Sequence, residues 1–262
     1  MTNVKTIVLR TAGSNCDYET VHAFQHVGSD VSLIHINQIV TGKIRLSDFQ
    51  ILAIPGGFTY GDDISAGKIL ANELKNKLTD QLEKFVNAGK LIIGICNGFQ
   101  VLVKAGLLPE ISLNNGKQQV TLTNNDSGKF EDRWICLKPI SEKCVFTRGI
   151  EKIVYYPVAH AEGKFIPKDQ SVLQQLKAKD QIVFQYTNSN GDLAEYPWNP
   201  NGSIENIAGI CDPSGRVFGL MPHPERHFHP THHPRWTREG LKPEADGVVI
   251  FRNAVNYIRE NF

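Results

Sequence analysis

The chain has no CxxC pair among its five cysteines, Cys16, Cys96, Cys136, Cys144 and Cys211. An odd number without metal-ligand spacing argues against both a disulfide framework and a thiolate zinc site, so reduced thiols are expected. No apolar run approaches the ~18 residues needed to span a bilayer, and MTNVKTIVLR enters a strand pattern at once instead of reading as a secretory signal. A cytoplasmic protein without a membrane partner is therefore expected. Basic residues form no run: 28 Lys and Arg against 27 Asp and Glu leave a formal charge of +1, which gives nucleic acid no electrostatic footprint. A Gly-rich nucleotide loop of the P-loop type is missing, as are internal repeats, low-complexity tracts and obvious linkers. What is there, 262 residues that are 41% hydrophobic and 21% charged, has the composition of a globular chain with room for a sizeable core. It is read as a single domain over 1–262, with an irregular His- and Pro-rich insertion at about 227–245.

Short apolar runs alternate with helical patterns in the first part: VKTIVL (4–9), a helix over 19–27, VSLIHI (31–36), FQILAIP (49–55), a helical stretch from Ile64 to Val86, and KLIIGI (90–95). That rhythm predicts an α/β fold with a parallel sheet covered by helices. Continuous Val, Ile and Leu, as opposed to strict alternation, marks strands buried on both faces. A helix over 98–108 should end near Gly106 and Pro109. Beyond it, alternating segments at 118–123, 133–138 and 153–158 read as antiparallel strands added to one edge or end. IVFQYT (182–187) and IAGICD (207–212) follow, with DPSGR turning the chain into VFGLM (217–221) as a hairpin partner. A helix from Asp246 to Glu260 closes the chain.

GICNG (94–98) sets a cysteine between two glycines where a strand gives way to a helix. In such an elbow the side chain projects clear of the sheet, and the next backbone N–H can face a reacting carbonyl. Gly94 and Gly98 allow the close packing this needs, while the positive end of the helix dipole favours an anionic thiolate. Cys96 is thus placed to act as a nucleophile. The motif alone fits a small buried hydrophobe at a strand end equally well.

A nucleophilic thiol calls for a base, commonly an imidazole held by a third polar group. GLMPHPER (219–226) offers one: His223 follows an apolar strand, and Glu225 stands one rigid proline later. In an extended segment, side chains two apart share a side and can hydrogen-bond. An isolated HPE would more often be a strand cap and a surface ion pair. Read together with the elbow, the order Cys…His…Glu is specific and differs from the separated carboxylate and histidine of α/β-hydrolases.

This combination resembles class I glutamine amidotransferases. More closely, it is similar to the family of phosphoribosylformylglycinamidine synthase glutaminase subunits of purine biosynthesis, through GSNCD (13–17), PGGFTYGDD (55–63), GICNGFQVL (94–102), NDSGKFEDRW (125–134), AHAEGKF (159–165), NPNGS (199–203), NIAGICD (206–212) and GLMPHPER. Ala12 departs from the proline usual in that family before its G-S/T-N-C-D loop. The resemblance implies a flavodoxin-like open, mostly parallel sheet with helices on both faces. It implies Cys96, His223 and Glu225 as the catalytic triad, and the N–H groups of Gly57 and Asn97 as an oxyanion hole. Gln100, one helical turn from Cys96, is a candidate to hold the substrate glutamine, with an exposed helical Gln as the plainer reading; His160 is a candidate contact to substrate or a partner, with a structural histidine an equal reading. No cofactor is expected on this chain. ATP and Mg are expected on a separate synthetase subunit that consumes the ammonia, and a small third subunit is expected in the complex.

Two features invite over-reading. Cys16 also precedes a helical pattern, but no neighbouring residue in sequence supplies a base, so it is read as structural. HFHPTHH (227–233) suggests a metal, since imidazole binds zinc, yet no Cys or acidic ligand accompanies it at matching spacing and its prolines favour an exposed loop. Two other functions share parts of the pattern: a redox sensor or chaperone with an elbow cysteine, which needs no HPE, and an amidotransferase of another pathway, which leaves NDSGKF, AHAEG and NPNGS unexplained.

Overall fold

A computed structural model describes residues 3–113 and 117–262; residues 114–116, within the Asn- and Gly-rich stretch after the elbow helix, lie outside the described residues. The strands are β1 (Lys5–Arg10), β2 (Asp30–His35), β3 (Ile51–Ile54), β4 (Leu91–Ile95), β5 (Val120–Thr123), β6 (Glu131–Pro139), β7 (Val154–His160), β8 (Lys164–Pro167), β9 (Ile182–Thr187), β10 (Ile207–Cys211) and β11 (Val217–Leu220). The helices are α1 (Asp17–His26), α2 (Ile36–Val40), α3 (Lys68–Lys77), α4 (Thr79–Asn87), α5 (Asn97–Ala105), α6 (Gln170–Ala178), α7 (Trp236–Glu239) and α8 (Val248–Asn261).

Nine strands form one sheet in the order β2-β1-β3-β4-β11-β10-β9-β6-β7. From β2 to β11 neighbouring strands run parallel; from β11 to β7 they run antiparallel. Every residue of β3, β4 and β11 is buried. Successive strand side chains point to opposite faces, so both faces are covered, as the continuous apolar runs required. Helix α5 packs beside α3 and across β3, β4 and β11. On another side α1 meets α8, where Phe24 and Phe251 pack edge to face with ring centroids 5.0 Å apart.

Three expectations need correction. The stretch from Ile64 to Val86 is two helices: Ile64 and Gly67 have positive φ, which delays the start to Lys68, and Leu78 leaves the helical region at φ −126° between α3 and α4. The segment at 118–123 does not extend the large sheet, because β5 pairs with β8 in a separate antiparallel ribbon. Helix α6 was not expected; Val172, Leu173 and Leu176 form its buried face, and Asp169 starts it by accepting the Val172 N–H at 3.0 Å, as N-cap residues do.

The elbow is a packing solution forced by two glycines. A Cβ on Gly98 would fall 1.9 Å from the Ile54 carbonyl oxygen, and one on Gly94 would fall 2.5 Å from the Gly98 carbonyl oxygen. With both absent, the first turn of α5 rests directly on the ends of β3 and β4.

Candidate active site

Cys96 is the residue before α5 and holds φ 52°, ψ −105°. A non-glycine residue in such a conformation costs about 1–3 kcal/mol, which the surroundings must hold in place. Here the Cys96 N–H donates to the Leu220 carbonyl at 2.8 Å. That bond ties the elbow to the end of β11, from which the chain runs on to His223. The Cys96 thiol lies 3.7 Å from the Ala159 carbonyl.

His223 arrives from the opposite end of the sequence. Its N–H donates to the Pro157 carbonyl on β7 at 2.9 Å, and its Nδ1 lies 2.6 Å from Glu225 Oε1. The segment is a tight 3₁₀ turn over Pro224–Arg226 and not the extended stretch expected, because Arg226 N–H closes back on the His223 carbonyl. Both side chains are buried, and His223 Nε2 has no formed hydrogen bond among the described residues. Burial opposes charge on the ring, but the Glu225 carboxylate, the Cys96 thiol and the Cys16 thiol outweigh it and hold the imidazole well above its ordinary pKa. Cys96 and His223, distant in sequence, thus meet the same strand: the thiol lies against the Ala159 carbonyl and the His223 N–H against the Pro157 carbonyl, two residues apart on β7.

The PGG turn after β3 closes the site from below. Gly57 has φ 141°, and a Cβ there would fall 2.7 Å from the Gly13 carbonyl oxygen. Gly56, which sequence reasoning did not single out, is as constrained: its Cβ would lie 2.7 Å from His223 Cε1. The Asn97 N–H belongs to the first turn of α5 and so has no intrahelical acceptor. Its side chain is fully used: Oδ1 accepts from Thr59 Oγ1 at 2.7 Å, and Nδ2 donates to Asp62 Oδ1 at 2.9 Å and Gln100 Oε1 at 3.0 Å. Burial raises the Asp62 carboxyl above its usual range, while hydrogen bonds from Gly67 and Asn97 oppose this.

Gln100 is buried, not exposed, and its amide nitrogen donates to the Glu162 carbonyl. His160 is buried with its Nδ1–H donating to Asn125 Oδ1 at 3.2 Å. Burial first, then the nearby charge of His223, lowers its pKa to about 3, so the ring is neutral. One small pocket brings together Gly57, Cys96, Gln100 and His160, along with Asp62 and Glu162.

The other motifs form a buttress behind His160. Asn125 donates from Nδ2 to the His160 carbonyl at 2.8 Å and accepts the Gly163 N–H at 3.1 Å. Asn201 donates to the Gly163 carbonyl at 2.9 Å, and Ser203 Oγ accepts the Phe165 N–H at 2.9 Å. NDSGKF, AHAEG and NPNGS are thus one connected unit.

Cys16 does not stand apart as the sequence suggested. Its Sγ lies 3.9 Å from His223 Nδ1, donates to Asn15 Oδ1 at 3.1 Å and accepts from Arg226 Nη2 at 3.1 Å. Burial pushes this thiol's pKa up, against the pull of His223 and Arg226. The 227–233 segment is also less exposed than expected. His227 is fully buried, its Nδ1–H donating to the Tyr155 carbonyl at 2.6 Å and its ring edge-on to Trp134. Phe228 and His233 are buried as well.

The chain belongs to the glutamine amidotransferases, matching the CobB/CobQ-like glutamine amidotransferase domain over residues 3–258. It is 50% identical to phosphoribosylformylglycinamidine synthase subunit PurQ of Dehalococcoides mccartyi, over 99% of this chain and 100% of that protein. It is 46% identical to the same subunit of Archaeoglobus fulgidus, over 98% of each. Among solved structures it superposes on a chain of PurLQS from Thermotoga maritima with a TM-score of 0.74 and 32% identity, covering 98% of this chain and 100% of that one. A glutamine amidotransferase from Thermotoga maritima, at TM-score 0.52 and 14% identity over 99% of this chain and 94% of that one, shares the fold.

Proposed function

We propose that this chain is the glutaminase subunit of a phosphoribosylformylglycinamidine synthase. It hydrolyses glutamine to glutamate and ammonia in the cytoplasm and hands the ammonia to an ATP- and Mg-dependent synthetase subunit, with a small third subunit in the complex. The observation that carries this reading is the positive-φ Cys96 at the head of α5, with its thiol and the backbone of the buried His223–Glu225 pair both set against β7.

Cys96 attacks the side-chain amide carbon of glutamine with its proton already passed to His223, the charged ring that the Glu225 carboxylate favours. Negative charge then develops on the former carbonyl oxygen, and preorganised donors that meet it lower the barrier. The N–H groups of Gly57 and Asn97 fill that role. His223 returns the proton to the departing nitrogen, so ammonia leaves and a γ-glutamyl thioester remains on Cys96. The same imidazole then draws a proton from water, which attacks the thioester, releases glutamate and restores the thiol. Glu225 fixes the Nδ1–H form of His223 and stabilises its cation. Gln100 shapes the pocket by holding Asn97 against the chain at Glu162, and neutral His160 supplies the facing wall for the glutamine.

Ammonia released into water is mostly protonated and lost, so the chain is useful only when docked to its synthetase. The pocket around Cys96 measures about 50 Å³, well below the ~300 Å³ at the small end of ordinary ligand sites. Glutamine entry therefore requires it to open, and glutaminase activity of the isolated chain is expected to be low. In a complex reconstituted with the synthetase, Cys96→Ala is expected to abolish amidine synthesis from glutamine while synthesis from added ammonium salts persists. Loss of both would assign the thiol to assembly or folding.

A further inference from the structure

At the Nδ1 edge of the catalytic imidazole three potential metal ligands converge. Cys16 Sγ, His223 Nδ1 and Glu225 Oε1 all lie within 4.8 Å of one another, and they form a thiol, imidazole and carboxylate set from the two ends of the chain. Catalysis as described above uses Nδ1 and the carboxylate but gives the Cys16 thiol no task. Glu225 Oε2 is buried and has no hydrogen-bond partner among the described residues, so the cluster retains an unused anionic donor where an unpaired oxygen costs most.

We infer that Cys16, His223 and Glu225 form an inhibitory site for a thiophilic divalent cation such as Zn²⁺. Tetrahedral zinc with Zn–S of about 2.3 Å and Zn–N or Zn–O of about 2.0–2.2 Å sets donor atoms roughly 3.3–3.6 Å apart. The observed separations are 3.9 Å for sulfur to nitrogen and 2.6 Å for nitrogen to oxygen, so side-chain shifts of about 1 Å complete the site. Asn15 Oδ1, 3.1 Å from the sulfur, is the nearest candidate for a fourth position. One cation opposes the metal: Arg226 Nη2 touches the sulfur at 3.1 Å. Arg226 is already paired with Glu19, 3.8 Å from its Nε, which can hold the guanidinium when it leaves the sulfur.

The inhibition rests on the role of His223 given above, and its chemistry is a tautomer lock. Binding removes the proton from the Cys16 thiol and displaces the Nδ1 proton of the charged His223 ring while Nε2 keeps its hydrogen, so two protons are released per metal taken up. An Nε2 that already bears hydrogen and is fixed by metal at Nδ1 cannot accept the proton of Cys96. Because Cys16 is only 1% exposed, the loop that carries it must open first, and inhibition should develop slowly.

Binding can be read without activity, which separates this inference from the functional reading. Full-length Cys96→Ala protein titrated with Co²⁺ is expected to bind one equivalent, with a thiolate-to-metal charge-transfer band in the near ultraviolet and tetrahedral d–d bands in the visible. Cys16→Ser should lose the charge-transfer band and bind at least tenfold more weakly. Zinc should slow alkylation of Cys16 in Cys96→Ala at least tenfold, a measurement that needs no change at residue 16. In the reconstituted complex, zinc should reduce glutamine-dependent synthesis below a tenth with a visible lag, leaving ammonium-dependent synthesis unchanged. A charge-transfer band that vanishes in Cys96→Ala and survives in Cys16→Ser would overturn the assignment, as would the absence of stoichiometric binding or of Cys16 protection.

Discussion

Glu225 Oε1 lies 2.6 Å from His223 Nδ1 across a single intervening proline, and both side chains are buried. The carboxylate is the leading influence that favours the charged imidazole against the cost of burial. Glu225→Gln keeps the shape but removes that charge and allows the wrong tautomer. Glutamine-dependent turnover of the reconstituted complex is expected to fall about 10²- to 10⁴-fold, with a much smaller change in KM. Steady-state kinetics across glutamine concentrations check this, and a variant that keeps most of its turnover would remove Glu225 from the triad.

Gly98 is the closest contact of the elbow. A methyl group there would meet the Ile54 carbonyl oxygen at 1.9 Å, backbone against backbone, so neither side can yield without moving α5 off the sheet. Gly98→Ala should lose about 1–3 kcal/mol of stability, the usual cost of overpacking. A lower urea midpoint with an unchanged slope is the expected signature.

The neutral, buried His160 makes stability depend on pH. Its folded pKa of about 3 lies below its ordinary value of 6.5. The unfolded chain therefore binds a proton that the folded one does not, throughout that interval. The contribution is fully present above about pH 6.5 and is lost on acidification toward pH 3, at up to ~1.4 kcal/mol per pH unit. Denaturant titrations between pH 4 and 7 should show a flatter dependence for His160→Gln than for the unaltered protein. Equal slopes would mean that the ring protonates as easily folded as unfolded.

Asn97 is held by Gln100 and by Thr59 and Asp62, to which sequence reasoning gave no role. Thr59 Oγ1 donates to its Oδ1 at 2.7 Å in a buried setting. Thr59→Val keeps the volume and removes the donor, at a cost of about 1–3 kcal/mol for an acceptor left short of a partner. If the Asn97 N–H must be aimed at a developing oxyanion, turnover should drop about tenfold or more while KM changes little. A loss of stability with full turnover would assign Thr59 to folding alone.

Much of this was legible because the signals are local. The runs at 51–54, 91–95 and 217–220 are apolar on both faces, which only a covered sheet tolerates, and the elbow announces itself through Gly94 and Gly98 on either side of Cys96. HPE could be read as a pair because its members are two residues apart. What stayed hidden depends on partners far along the chain. Cys16 meets His223 across 207 residues and Arg226 across 210, and no pattern near GSNCD announces either contact. The burial of His227 follows from Trp134 and Tyr155 on the sheet edge, which a His- and Pro-rich composition conceals. Helix α6 is short, with an Asp169 cap and a buried face of only Val172, Leu173 and Leu176 set among glutamines, and the break at Leu78 lies inside an otherwise helical pattern.

The central claim, that Cys96 is the thiol that attacks glutamine, is tested most directly by covalent trapping. The full chain, docked to its synthetase, is treated with an electrophilic glutamine analogue with and without excess glutamine, and the adduct is located by mass mapping. One adduct on Cys96, suppressed by glutamine, is the expected result. Labelling of Cys16 instead, or labelling of Cys96 that glutamine fails to suppress, would contradict the account.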